Sequence, residues 1–322
     1  MHTGARDRRV VSSVSALSSI GEQRLIDYRY HLISLVAVFL ALGVGVLVGN
    51  SFVGLASLDW QNQAVARLDR DVKLLRHQQT VLAQQNAQLQ SRLQSRERAE
   101  RALMPRTLQG VLQGRSVAIV VCGDLKDEEL VGAASAAVGV GGGQVISTTR
   151  VQDGWLPEVG RTRLEILARL GISPGDPDGT AKATRQLAVA IVSGEWSRAI
   201  HDVAQQSRGL SLDGDYSTPV DMVLLLTAAS STERLARAAE GVLPEQYLVD
   251  GWKGRARVVA AEPEVAPVSM VPVFQRKSIP TVDNVDTAVG QIGAVLALAG
   301  GETNYGVKPT AQKPIPAISG PG

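Results

Sequence analysis

Leu32–Val48 reads LISLVAVFLALGVGVLV, and from Tyr30 to Leu58 there is no Asp, Glu, Lys or Arg. A helix needs roughly 20 apolar residues to cross the hydrocarbon core of a bilayer, and this run with its flanks supplies them. The competing reading is a cleaved signal peptide, whose apolar core is usually about 7–15 residues and ends at a small-x-small site. The run here is longer and no such site follows it, so residues 30–54 read as an uncleaved transmembrane helix. The flanks orient it. Arg6, Arg8, Arg9, Arg24 and Arg29 precede the span, whereas the first charge after it is Asp59 and the next base is Arg67. Basic flanks stay in the cytoplasm. Residues 1–29 are therefore expected inside, and everything after the span outside the cytoplasm. Within the helix Ala37, Ala41, Gly45 and Gly49 recur every four residues, a strip of small side chains that lets two helices approach closely in lipid.

Beyond the span, residues 59–104 read as a coiled-coil stalk. Position a of its heptad holds Val65, Val72, Gln79, Asn86, Leu93 and Glu100; position d holds Leu68, Leu75, Leu82, Leu89, Arg96 and Leu103. Val at a with Leu at d favours two parallel strands, and Asn86 at a fits a polar residue that selects register at some loss of stability. A homodimer is expected on this basis. Gln79, Arg96 and Glu100 weaken the seam, so its C-terminal end is expected to splay. The alternative is a long helix packed on its own globular domain. Pro105 is expected to end the helix, because the residue before a proline disfavours α geometry.

After Gly114 the texture changes. Ser116–Val121 (SVAIVV), Gln144–Val151, Val220–Thr227 (VDMVLLLT) and Ala256–Ala261 read as strands, with Val271–Phe274 as a candidate fifth. Helical patterns lie over Asp124–Val138, Leu156–Leu170, Thr180–Ser193 and Thr232–Val242. A last helix, capped by Asp283 or Asp286, puts Val285, Ala288, Val289, Ile292, Val295, Leu296 and Ala299 on one face. Continuous apolar strands alternating with helices imply a mainly parallel sheet covered on both faces. The fold class is thus α/β: a transmembrane helix and a stalk, then a three-layer extracytoplasmic domain over residues 114–302. The segment 308–322 is Pro-rich and expected to be disordered.

Composition excludes several functions. Thirty-three Lys and Arg against 31 Asp and Glu leave a formal charge of +2, no footprint for a nucleic-acid partner. Cys122 is the only cysteine, which rules out an intramolecular disulfide and every multi-cysteine zinc site. Gly139, Gly141, Gly142 and Gly143 follow a helix and precede a strand, the reverse of a dinucleotide fingerprint, and read as a turn. His201 is the only histidine of the globular domain, so no nucleophile–base arrangement can be built and an enzyme is not expected. Cys122, Gly123 and Asp124 end the first strand on the side where open α/β sheets bind ligands. A Cu(I) ion would take the Cys122 thiolate first, as the softest donor, with a partner from Met222, Met270, His201 or a second protomer. Its place after Val117, Ile119 and Val121 predicts instead a buried small hydrophobe. No cofactor is evident from these residues.

The stretch from Ile26, IDYRYHLISLVAVFLALGVGVLVGNS, resembles the N-terminus of the actinobacterial copper-transport protein family of MctB type. Residues 1–25 stand as an extension before it. The resemblance continues in Val121-Cys122-Gly123-Asp124, in Ala261-Glu262-Pro263 and in Ser278–Thr287 (SIPTVDNVDT) with Gly290, covering about residues 26–310. It implies a membrane protein of the cell envelope tied to copper efflux or resistance, with copper as a possible ligand and an outer-membrane channel as the usual description. Some relatives are tied instead to envelope growth and division as coiled-coil membrane partners. The residues themselves do not fit a channel, since an outer-membrane barrel needs many strands of about ten alternating residues. They show one helical span and an α/β domain.

Overall fold

The computed structural model describes residues 20–123, 125–229 and 231–317, and their side chains except at 20–27 and 50–62. Arg6, Arg8, Arg9 and Asp124 lie outside the described residues. Two units separate, Met1–Gln88 and Leu89–Gly322.

In the first unit the described residues belong to helix α1 (Ile20–Leu108). Tyr28–Gly49 is a 22-residue stretch of mean hydropathy 2.7 with none of its side chains buried. At 1.5 Å per residue it is about 33 Å long, enough for the hydrocarbon core. Gly45 and Gly49 have nothing within 4 Å of a notional Cβ, so nothing within the chain requires glycine there. Further along, Val65, Leu68, Leu75 and Leu82 are 59–65% exposed. These apolar residues of the heptad stand exposed on one helix among the described residues. Lys73 and Asp69 form an i,i+4 pair at 2.6 Å.

In the second unit α1 continues to Leu108 with Pro105 inside it, which corrects the expected stop. An internal proline costs about 3 kcal/mol. Met104 and Leu108 are buried in the turn around it, and their burial, about 1.5–3 kcal/mol each, offsets that cost. The remaining elements follow in order: β1 (Ser116–Gly123), α2 (Glu128–Val140), β2 (Gln144–Val151), α3 (Arg161–Arg169), α4 (Gly179–Ser193), α5 (Arg198–Gln206), β3 (Leu210–Gly214), β4 (Met222–Ala228), α6 (Thr232–Ala239), α7 (Pro244–Trp252), β5 (Arg257–Ala261), α8 (Val271–Gln275), β6 (Thr281–Val282), α9 (Ala288–Gly300) and β7 (Asn304–Tyr305).

The seven strands form one open sheet in the order β3-β2-β1-β4-β5-β6-β7. All pairs are parallel except β2 with β3. Alternate residues feed two cores, as the pleat requires. Ala118, Val120 and Cys122 of β1 join Val223 and Leu225 of β4 in a core with Leu187, Ile191, Leu248 and Trp252 from α4 and α7. Val117, Ile119 and Val121 join Leu224 and Leu226 in the other, with Leu108, Val138, Ile292 and Val295. The domain is therefore three layers, helix–sheet–helix. The Gly-rich segment is the expected helix-to-strand turn: Gly142 has φ +82°, and a Cβ there would stand 2.6 Å from Gln113 Oε1.

Several boundaries differ from the sequence reading, each for a physical reason. Helix α2 is capped by Asp127, whose carboxylate accepts from Leu130 N at 2.9 Å. Val271–Phe274 is helical in α8, not a strand, because Pro272 suits a first helical turn. Helix α9 is capped by Thr287, with Oγ1 accepting from Gly290 N at 3.1 Å, and not by Asp283 or Asp286. Asp283 is engaged elsewhere: its carboxylate accepts from Val307 N at 2.8 Å and Lys308 N at 3.1 Å. The same bonds correct the expectation of a loose tail from Lys308. Lys308 Nζ also bonds buried Glu262 at 2.6 Å, and the segment is placed against the domain as far as residue 317.

Candidate functional site

The carboxyl edge of a parallel sheet is where α/β folds bind ligands, above all where successive connections leave a strand in opposite directions. Here that point is the gap between β1 and β4, since the chain passes from β1 to β2 on one side and reaches β4 on the other. Cys122 and Gly123 end β1 there and pair in register with Thr227 and Ala228 of β4. Gly123 has φ +76°, and a Cβ on it would stand 2.5 Å from Ala228 O and 2.9 Å from Arg234 Nη2. Glycine is thus what allows the β1 turn to close against the loop that follows β4.

An ion cluster fills this gap. Ser231 caps α6 by accepting from Arg234 N at 3.3 Å, which sets Arg234 in the first turn, 4% exposed. Its guanidinium reaches two carboxylates, one from the loop after β2 and one from the first turn of α7. Nη2 donates to Glu245 Oε1 at 2.6 Å, and Nη1 pairs with Asp153. Arg237 adds a second cation on Asp153 at 3.4 Å. Glu245 is fully buried in the first turn of α7, where the helix dipole favours a carboxylate. Burial pushes its carboxyl up all the same, with Arg234 opposing. Beside the cluster a cavity of about 490 Å³ opens over β1 and β2, lined by Gly123, Lys126, Glu128, Arg150, Gln152 and Asp153 among others.

Cys122 is 1% exposed and lies in the same core as Val120, Val151 and Trp155. Burial pushes its thiol well above the ordinary value, and the Glu245 carboxylate adds to the shift. The donors named beside it are dispersed. Met222 lies in the core on the opposite face of the sheet. His201 is exposed and bonded to Gln205 at 3.0 Å. Met270 shares the core of Cys122 and is fully buried. Among the described residues no group of three or more His, Cys, Asp or Glu is placed to hold a metal ion. Arg234, Glu245 and Asp153 were not legible as a group, because they converge from positions 11 and 81 residues apart. The only local signal was the Ser231 cap that positions Arg234.

Among the described residues one apolar helix of spanning length precedes a three-layer α/β domain, the layout of a single-pass membrane protein. Its strands form an open sheet buried between helices. The chain belongs to the family described as copper transport outer membrane protein, MctB, whose model matches residues 25–316. The copper transporters MctB of Mycobacterium tuberculosis and Mycobacterium bovis are each 26% identical to it over 302 residues, covering 85% of this chain and 92% of the relative.

Proposed function

We propose that this chain works in copper homeostasis at the cell envelope, in copper efflux, as a membrane-anchored parallel homodimer without catalytic activity. The observation that carries the reading is the family match across residues 25–316, which takes in the membrane helix, the stalk and the α/β domain together. The names of the mycobacterial relatives supply the copper. The N-terminus is assigned to the cytoplasm and the α/β domain to the far side, because Arg24 and Arg29 flank the span on one side only. Dimerisation is assigned to the uncovered seam of Val65, Leu68, Val72, Leu75, Leu82, Asn86, Leu89 and Leu93, with Ala41, Gly45 and Gly49 facing the second helix in lipid.

Cys122 enters this reading as a packing residue, because a sealed and protonated thiol is a poor ligand. Deleting the gene in its own host should raise cellular copper and copper sensitivity, and both the native chain and Cys122→Ala should restore tolerance. Failure of Cys122→Ala alone would return the thiol to the centre of the mechanism. The sealed thiol and the long stalk also favour a second reading, a scaffold that binds and regulates envelope growth or division enzymes. Unchanged copper tolerance with altered growth or septation in the deletion would select it. Orientation is tested separately. A membrane-impermeant thiol reagent should label Gln312→Cys in intact cells and leave Val10→Cys unlabelled; the reverse pattern would invert the topology.

A further inference from the structure

The heptad of α1 runs past Asn86 into Leu93, Arg96 and Glu100, and there its surroundings change. With Glu97, these residues form one wall of a groove of about 230 Å³, and Glu264 and Val307 of the α/β domain stand on the other. Leu93 is 64% exposed and Val307 58%, so two apolar side chains are left open to water at the groove. Its charge is acidic, with Glu97, Glu100 and Glu264 against Arg96. Arg96 is taken by Glu100 at 2.7 Å. The span 92–106 of α1 has the opposite balance, Arg92, Arg96, Arg98, Arg101 and Arg106 against Glu97 and Glu100.

The register adds a second complementarity. With Val65 at a, Asp71 and Arg92 fall at g, and Arg76 and Glu97 fall at e. In a parallel in-register pair, g of one helix faces e of the next heptad on the other. Both charged g–e pairs, Asp71 with Arg76 and Arg92 with Glu97, then join opposite signs. The groove opens on the e side, because Glu97 lines it.

We propose that the groove is occupied by the stalk of a second copy of this chain. This rests on the parallel-dimer reading above. Arg92 of the second copy reaches Glu97 and Glu264, Leu93 meets Leu93, and each α/β domain clasps both helices. The arrangement accounts for the polar residues in the seam. Arg96 and Glu100 sit where a domain supplies a third wall, so they are not asked to be apolar knobs between two helices.

The test uses full-length protein in native membranes, with two differently tagged copies. One carries Ala99→Cys, at g on the flank that faces the groove; the other carries Val307→Cys. Native Cys122 is buried in both. A short thiol-reactive cross-linker is expected to join the two tags. Arg92→Glu in the first copy is expected to cut that product several-fold, and Glu264→Arg in the second to restore part of it. Leu82→Cys, tested alone, reports the seam. Cross-linking at Leu82 with none between positions 99 and 307 would overturn the groove and leave the dimer standing. Cross-linking at neither would overturn both. A two-tag product indifferent to Arg92→Glu would also overturn the assignment, since its charge pairing would be wrong.

Discussion

Every residue of β4 from Met222 to Ala228 is buried, whereas Val65, Leu68, Leu75 and Leu82 of α1 each leave 59–65% of their surface to solvent. Both segments are dominated by apolar side chains. They differ in where the covering surface comes from. A strand in the middle of a parallel sheet is covered on both faces by helices of its own chain. The stalk carries its apolar residues at heptad spacing, and among the described residues those four stay exposed. Leaving a Leu or Val exposed forgoes about 1.5–3 kcal/mol of burial, so a row of four calls for another surface. The α/β domain completes itself, whereas the proposed dimer would supply the stalk's missing surface from a second copy.

The comparison can be broken most forcefully inside the domain. Arg234→Met leaves Glu245 buried without its cation, and removing one partner of a buried pair costs about 3–5 kcal/mol. Urea unfolding followed at Trp155 and Trp252 should show a loss of that size with the dimer population unchanged. In the stalk the consequences should be reversed. Leu82→Ala should weaken dimerisation by about 2 kcal/mol per chain and leave unfolding of the domain where it was. Asn86→Leu should strengthen association while loosening register or copy number, read by sedimentation and by cross-linking at neighbouring heptads. Ser231→Ala removes the cap that sets Arg234 and should cost the domain about 1 kcal/mol.

The smallest effect is a pH dependence at an exposed turn. Ser217 and Thr218 hydroxyls and Ser217 N hold the Asp215 carboxyl down to about 2. A carboxyl lowered in the folded state contributes stability above its unfolded value of about 3.9. That contribution is lost as pH falls through the folded value. The difference in unfolding midpoint between the native chain and Asp215→Asn should be constant near neutral pH and should shrink between pH about 4 and about 2.

What was legible in the sequence follows the same division. β1, β4 and β5 are continuous apolar runs because each is buried on both faces, and the pattern names them directly. β3 was not legible: Leu210–Gly214 is an antiparallel edge strand with two of its five residues apolar, and pairing with β2 defines it. β6 and β7 are two residues each, below the length at which alternation can be read. The cap of α9 went to the wrong residue because Asp283 serves Val307 and Lys308, a partnership 24 and 25 residues away that no local pattern announces. The candidate site is legible only as a position. The end of a buried strand marked Cys122 and Gly123, but the cluster beside them is assembled by folding.

The most direct test of the proposed pairing is the mass of the full-length protein in a mild detergent or lipid nanodisc, measured by native mass spectrometry. The account predicts two copies per particle, passing to one with Leu75→Ala and Leu82→Ala together while the α/β domain stays folded. A single copy for the native chain, with its Val and Leu seam intact and exposed, would contradict it.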